Sequence, residues 1–273
     1  MSDVLVLCYH ALSPSWDADL STTPELFERQ LALLAERGYR GVTFSEAVAA
    51  GAGAGGGVRD VGAGRAGGVR KPSGVRLAAI TFDDAFRSVL ELARPILDRH
   101  GFTATVFAPT DYMGGERLRW QGIEQWLGGE HEAELEPMTW EELRSLADAG
   151  WEIGSHTRSH PHLTQIGDEA LARELAESKA TCEERLGRPC PTLAYPYGDH
   201  DDRVVRATAK AGYEAAAALP DRLQGHDPLA YPRVGVYRVD DNRRFRLKVS
   251  PGLRRLRGSR AWDALAAIRG AGK

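Results

Sequence analysis

Short apolar runs alternate with helix-length amphipathic stretches along nearly the whole chain, and this alternation constrains the fold more than any other feature. Runs at 4–9, 39–44, 78–82, 103–108, 150–153, 193–195, 213–219 and 234–239 read as strands. Stretches at 24–37, 88–100, 140–149 and 168–186, with shorter ones starting near 45 and ending near 211, read as helices. Their punctuation agrees. Pro24 suits a first helical turn and Gly38 a C-cap, while Leu26, Phe27, Leu31 and Leu34 supply a buried face. Thr139 and Glu142 have the spacing of a capping box, and Pro95 perturbs a helix that Gly101 closes. Strands alternating with helices make parallel β/α units. An incomplete or distorted (β/α) barrel is expected rather than an open doubly wound sheet, because no Gly-x-Gly-x-x-Gly loop follows an early strand.

The chain has 273 residues, 42% of them hydrophobic, enough for one large domain. Residues 50–74 are dominated by Gly, Ala and Arg and have little to bury. They read as a low-complexity loop, dispensable for folding, within a single domain spanning 1–273. A net charge of −3 gives no electrostatic case for nucleic acid, and the arginines look scattered among acids as solvated faces. No apolar stretch approaches the roughly 20 residues of a membrane span. The start lacks the charged segment and long apolar run of a signal peptide. The expected location is cytoplasmic, with export by another route as the alternative. Three cysteines make no disulfide framework, and Cys182 shares an apolar helical stripe with Leu171, Leu175 and Leu186.

The chemistry gathers behind two of the strands, where barrel enzymes carry it. The run 78–82 ends in two adjacent carboxylates, Asp83 and Asp84, which would face opposite ways if the strand continued. The run 150–153 leads into Gly154-Ser155-His156-Thr157-Arg158-Ser159-His160. The four-residue spacing of His156 and His160 suits one helical turn. One carboxylate plus two such histidines outlines a divalent-metal site. Helix capping by the aspartates is the plain alternative.

Three ordered motifs resemble those of the polysaccharide deacetylase family, carbohydrate esterase family 4, with its NodB-homology domain. They are Thr81-Phe82-Asp83-Asp84, Ser155 to His160, and Ala194-Tyr195-Pro196-Tyr197-Gly198. Tyr9-His10, Gly38-Tyr39 and the approach from Trp140 to Trp151 resemble the branch acting on exopolysaccharide N-acetylglucosamine. The resemblance covers most of 4–240 and implies a distorted (β/α)7 barrel that hydrolyses amides with a metal, usually zinc. It also implies Asp84, His156 and His160 as metal ligands, Asp83 as general base and the Tyr197 backbone N–H as an oxyanion donor. A metal that activates water beside a carboxylate base is the chemistry an unreactive acetamide needs.

The chain departs from the family pattern in three places. Ala85 follows the aspartates where Gly is usual, and Ala194 stands where an arginine usually steadies the base. No clear Leu-x-His motif supplies the late general acid, for which His10 and His226 are the candidates. Arg233 is either a surface arginine or the group that reaches Asp83 in place of the missing one. The expected substrate is an acetylated amino-sugar glycan or glycoconjugate. The rival readings are a same-fold amidase or deformylase on a small molecule, a non-haem iron oxygenase, and a catalytically degenerate glycan-binding protein.

Overall fold

The computed structural model describes residues 3–52, 74–220, 223, 227–259 and 262. The loop expected at 50–74 therefore lies almost wholly outside the described residues, as does His226.

Strand β1 (Asp3–Tyr9) enters first, followed by the short β2 (Ala11–Leu12) and β3 (Ser21–Thr22), which pair with each other. Helix α1 (Pro24–Glu36) has Thr23 as its cap, its side chain accepting from the Leu26 N–H, and the chain leaves through Gly38 at φ 76°. Then come β4 (Tyr39–Val42), α2 (Phe44–Ala52) and β5 (Arg76–Phe82). The helix expected over 88–100 is instead a π-turn at Val89–Ala93 followed by α3 (Arg94–His100). Pro95 has no N–H for the regular ladder, and the wider turn absorbs that defect. Strand β6 (Thr105–Ala108) leads through a long connection to α4 (Trp140–Asp148), which starts on the expected Thr139–Glu142 capping box. The chain continues through β7 (Glu152–Ser155), α5 (Asp168–Leu186), β8 (Thr192–Ala194), α6 (Asp202–Lys210) and β9 (Ala215–Ala218).

All these strands pair in parallel. One edge of β5 pairs along its whole length with β1. Its other edge is shared, with β4 beside Arg76–Ala79 and β6 beside Thr81–Phe82. Strand β4 therefore buttresses only the entry half of β5 and leaves its carboxyl end to the ring.

The last strand differs from the run expected at 234–239. It is two short pairings, β10 (Tyr231–Pro232) against β9 and β11 (Val234–Gly235) against β1. Between them the Arg233 N–H donates to Ala218 O at 3.1 Å, and the Val236 N–H donates to Cys8 O at 2.9 Å. One segment thus touches both ends of the sheet and brings it back on itself as a distorted (β/α) barrel. Helices α7 (Asn242–Lys248) and α8 (Pro251–Arg257) follow the seam.

Aromatic packing holds α1 to the barrel. The Tyr9 ring lies 5.1 Å from Phe27 and 5.8 Å from Phe82, and Trp151 stacks on Phe82. Strands β6, β7 and β8 approach closely at Gly154. A Cβ there would lie 2.6 Å from the Phe107 ring and 2.7 Å from the Thr192 hydroxyl. Only glycine lets β7 carry the histidine loop at this depth.

Candidate metal centre

Strand β5 stops at Phe82, although the Asp83 N–H extends the ladder by one bond to Tyr9 O. Asp84 and Ala85 then take φ values of 71° and 53°, in the left-handed region. This turn resolves the facing problem of two adjacent carboxylates, because the chain has left strand geometry before the second one. A non-glycine residue in this region costs about 1–2 kcal/mol, and burial of Ala85, whose carbonyl accepts from Met138, holds it in place.

The histidines come from the end of β7, which lies beyond β6 in the sheet, but not on a helical turn. Residues 156–160 form a loop in which Thr157 and His160 have φ values of 65° and 61°. Glu174, buried on α5, captures that loop by accepting from the Arg158 and Ser159 N–H groups, both at 2.9 Å, and from the Ser159 hydroxyl at 2.6 Å. The spacing of His156 and His160 is thus satisfied by a carboxylate-held loop rather than by helix periodicity.

The Asp84 Oδ1 atom sits 3.3 Å from His156 Nε2 and 3.4 Å from His160 Nε2, and has no hydrogen-bond partner despite being buried. His156 Nδ1 lies 2.8 Å from Ala194 O, which fixes that nitrogen as the donor and leaves the Nε2 lone pair toward Asp84. Ligands on a tetrahedral ion with bonds of about 2.0–2.1 Å stand roughly 3.3–3.4 Å apart. Both the orphaned oxygen and the donor set, one carboxylate and two imidazoles, therefore fit a catalytic divalent ion with a coordination position left open. The face of His160 is covered by Trp120, 4.1 Å away and 24° from parallel, and its edge meets Tyr197 at 4.7 Å.

Asp83 has different neighbours. Arg233 Nη1 donates to its Oδ1 at 2.6 Å and Nη2 to its Oδ2 at 2.7 Å, while Thr81 Oγ1 accepts from the same guanidinium at 3.0 Å. Arg233 is 1% exposed, so the surface-arginine alternative fails. The Cys8 thiol donates to Asp83 Oδ2 at 3.4 Å. Burial alone would raise the Asp83 carboxyl, but the Arg233 charge, with His156 behind it, outweighs burial and holds it well below the usual carboxylate range. Burial likewise pushes His160 down, to about 3, against the pull of Asp84. In His156 the nearby carboxylates outweigh burial and raise it.

Cys8, His10 and Asp83 also bring ligand-type atoms together. A cation there would face the Arg233 guanidinium that already occupies both Asp83 oxygens, so this second group does not fit a metal. His10, at the end of β1, presents a buried Nδ1 without a partner. Tyr197 is 39% exposed with a left-handed backbone at φ 60°, and its hydroxyl donates to Gln121 O at 3.2 Å.

Some neighbours of the site were not expected. Glu174 leaves a sequence signal, being an acid at a buried position of the α5 stripe beside Leu171 and Leu175. Trp120 leaves none, since it sits in an irregular connection. His162 carries no positional signal in the sequence, yet it stacks on Tyr197 at 3.8 Å and 11°, with Nδ1 3.6 Å from Asp199.

A family model described as polysaccharide deacetylase matches residues 70–216. A Bacillus subtilis protein, YxkH, assigned to the polysaccharide deacetylases is 25% identical over 248 residues, covering 91% of this chain and 72% of that protein. A Staphylococcus aureus poly-beta-1,6-N-acetyl-D-glucosamine N-deacetylase is 24% identical over 152 residues, covering 52% of this chain. That match takes in 48% of the Staphylococcus protein, so the chain matches only about half of its length. Among solved structures, the Streptococcus pyogenes deacetylase PplD in complex with acetate superposes with a TM-score of 0.69 at 19% identity, over 91% of this chain and 98% of that one. This likeness is one of fold.

Proposed function

Because this chain belongs to the polysaccharide deacetylase family, we propose that it hydrolyses N-acetyl groups on an amino-sugar polysaccharide, with Asp84, His156 and His160 holding a divalent ion and Asp83 as general base. The observation that carries this reading is the orphaned Asp84 Oδ1 between two imidazole nitrogens, one residue away from a carboxylate clamped by arginine.

The ion, most simply zinc, would acidify water and polarise the acetamide carbonyl. Everything else falls to the chain. The Ala194 carbonyl orients His156, and Glu174 sets the loop that presents His160. Arg233 keeps Asp83 ionised and fixes its plane, so that it receives the proton of the attacking water. This pair supplies what Ala194 lacks and supports an active enzyme over a degenerate binding protein. His10 is the group proposed to protonate the leaving amine, on the strength of its unpartnered Nδ1 beside the same cluster. The Tyr197 backbone N–H is proposed to donate to the developing oxyanion.

The Staphylococcus relative is named for poly-β-1,6-N-acetyl-D-glucosamine, which makes that polymer the first substrate to test. Metal analysis of purified protein, paired with acetate release from this polymer, from other N-acetylglucosamine oligomers and from small formamides, tests the reading. Stoichiometric metal and release from the glycans support it. Metal-free protein, or turnover of the formamides alone, overturns it.

A further inference from the structure

The arginines are not evenly scattered. Residues 242–259 contain seven Lys and Arg side chains and no Asp or Glu; because the whole chain is −3, the remainder is −10. Within this stretch the side chains divide by face. Phe245 of α7 and Val249, its C-cap, are buried against the barrel. Leu247 points away and is 60% exposed, and Val239, just before the helix cap, is 56% exposed. At 100° per residue, Leu247 lies between Arg243 and Arg244 on the outer face. Arg244 Nη1 donates to Val239 O at 2.9 Å, which ties the loop carrying Val239 to the outer face of the helix.

Some cations of the stretch are consumed internally. Lys248 pairs with Asp240, and Arg254 with Asp3. Arg243, Arg246 and Arg255 are exposed and form no ion pair among the described residues. Among the described residues, no helix is long and apolar enough to cross a membrane.

We infer that the outer face of α7, with Val239 and the exposed Arg255 of α8, docks the protein on an anionic lipid bilayer. Charge chooses the partner, since arginines on an otherwise acidic chain are drawn to anionic headgroups while the remaining surface is repelled. The aliphatic groups separate a bilayer from a soluble polyanion. Val239 and Leu247 gain nothing from a nucleic acid or acidic glycan backbone, but they can enter the headgroup–acyl boundary while the flanking arginines stay among phosphates. Attraction and repulsion together orient the molecule, with the loop that leaves β11 against the surface.

The test is sedimentation of the full-length protein with vesicles of equal phosphatidylglycerol and phosphatidylcholine, and with phosphatidylcholine alone. The expected result is binding to the anionic vesicles, weakened by high salt, and none to the neutral ones. Each arginine near such a surface is worth about fivefold in binding. Arg243→Glu/Arg246→Glu/Arg255→Glu should therefore reduce partitioning by at least about 100-fold, and Val239→Ser/Leu247→Ser should reduce it at unchanged charge. Both variants touch exposed positions and should keep the parent melting temperature and turnover of a soluble substrate. Failure to bind anionic vesicles overturns the proposal. So does binding that survives both variants, or retention by soluble polyanions such as DNA or heparin without vesicle binding.

Discussion

Arg233 grips both carboxylate oxygens of Asp83 from the one backbone position where the last strand changes partners. The pairing joins residues 150 apart in sequence, and it makes the counter-ion of the proposed base part of the barrel seam. A planar fork suits this position because lysine, a point charge, could not satisfy both oxygens at once.

Arg233→Lys should therefore lower turnover with metal content intact, and Arg233→Ala should lower it further. Arg233→Ala should also cost about 3–5 kcal/mol of stability, because it leaves a buried carboxylate unpaired. Acetate release, metal analysis and thermal unfolding of both variants measure the two effects separately. Equal turnover in the parent and the alanine variant would exclude a role for the pair in catalysis.

Asp83→Asn keeps the shape of the side chain and removes its ability to accept a proton. Turnover should fall by about 10²–10⁴-fold, the usual contribution of a positioned base, while the metal is retained. A variant with near-normal acetate release would transfer the role to another residue.

Asp84→Ala, His156→Ala and His160→Ala should each lose the ion. In the parent, metal bound only by the native state stabilises by about 2.7 kcal/mol at a hundredfold excess over its dissociation constant. Thermal unfolding with added zinc and with a chelator reads this directly. The parent should shift between the two conditions and the three variants should not.

Glu174 touches no proposed ligand side chain, yet it holds the backbone that presents His160. Glu174→Ala should weaken metal affinity by about 10–100-fold, as removal of an outer-shell partner does. Titration of the apo-protein with zinc checks this, and a parent-like affinity would reduce Glu174 to a structural role.

The parts of the molecule legible in sequence are those with a local cause. Thr139 and Glu142 announced a helix start because both partners of a capping box lie within one turn. The strand ahead of Asp83 announced itself through its buried apolar run. At His156 and His160 the helical spacing is instead met by a loop whose geometry comes from Glu174 and from left-handed residues, neither of them a local cause. Two-residue pairings such as Tyr231–Pro232 and Val234–Gly235 are too short to leave a periodic signal. Trp120 was silent because its contact with His160 is made by a connection without regular structure. Arg233 carries no local signal of its own and stands out in the sequence only against Ala194, where an arginine is usual.

The seam has a further consequence under stress. Strands β9 and β1 are joined through the segment that carries Arg233, and each half of that segment contributes only two paired residues. Mild denaturant or heat that parts the seam withdraws the guanidinium from Asp83 while Asp84, His156 and His160, mounted on β5 and β7, stay together. Inactivation should then precede global unfolding, with the metal still bound in the inactive form. Activity, metal content and tryptophan fluorescence followed along one denaturant series would separate if this order holds and coincide if it does not.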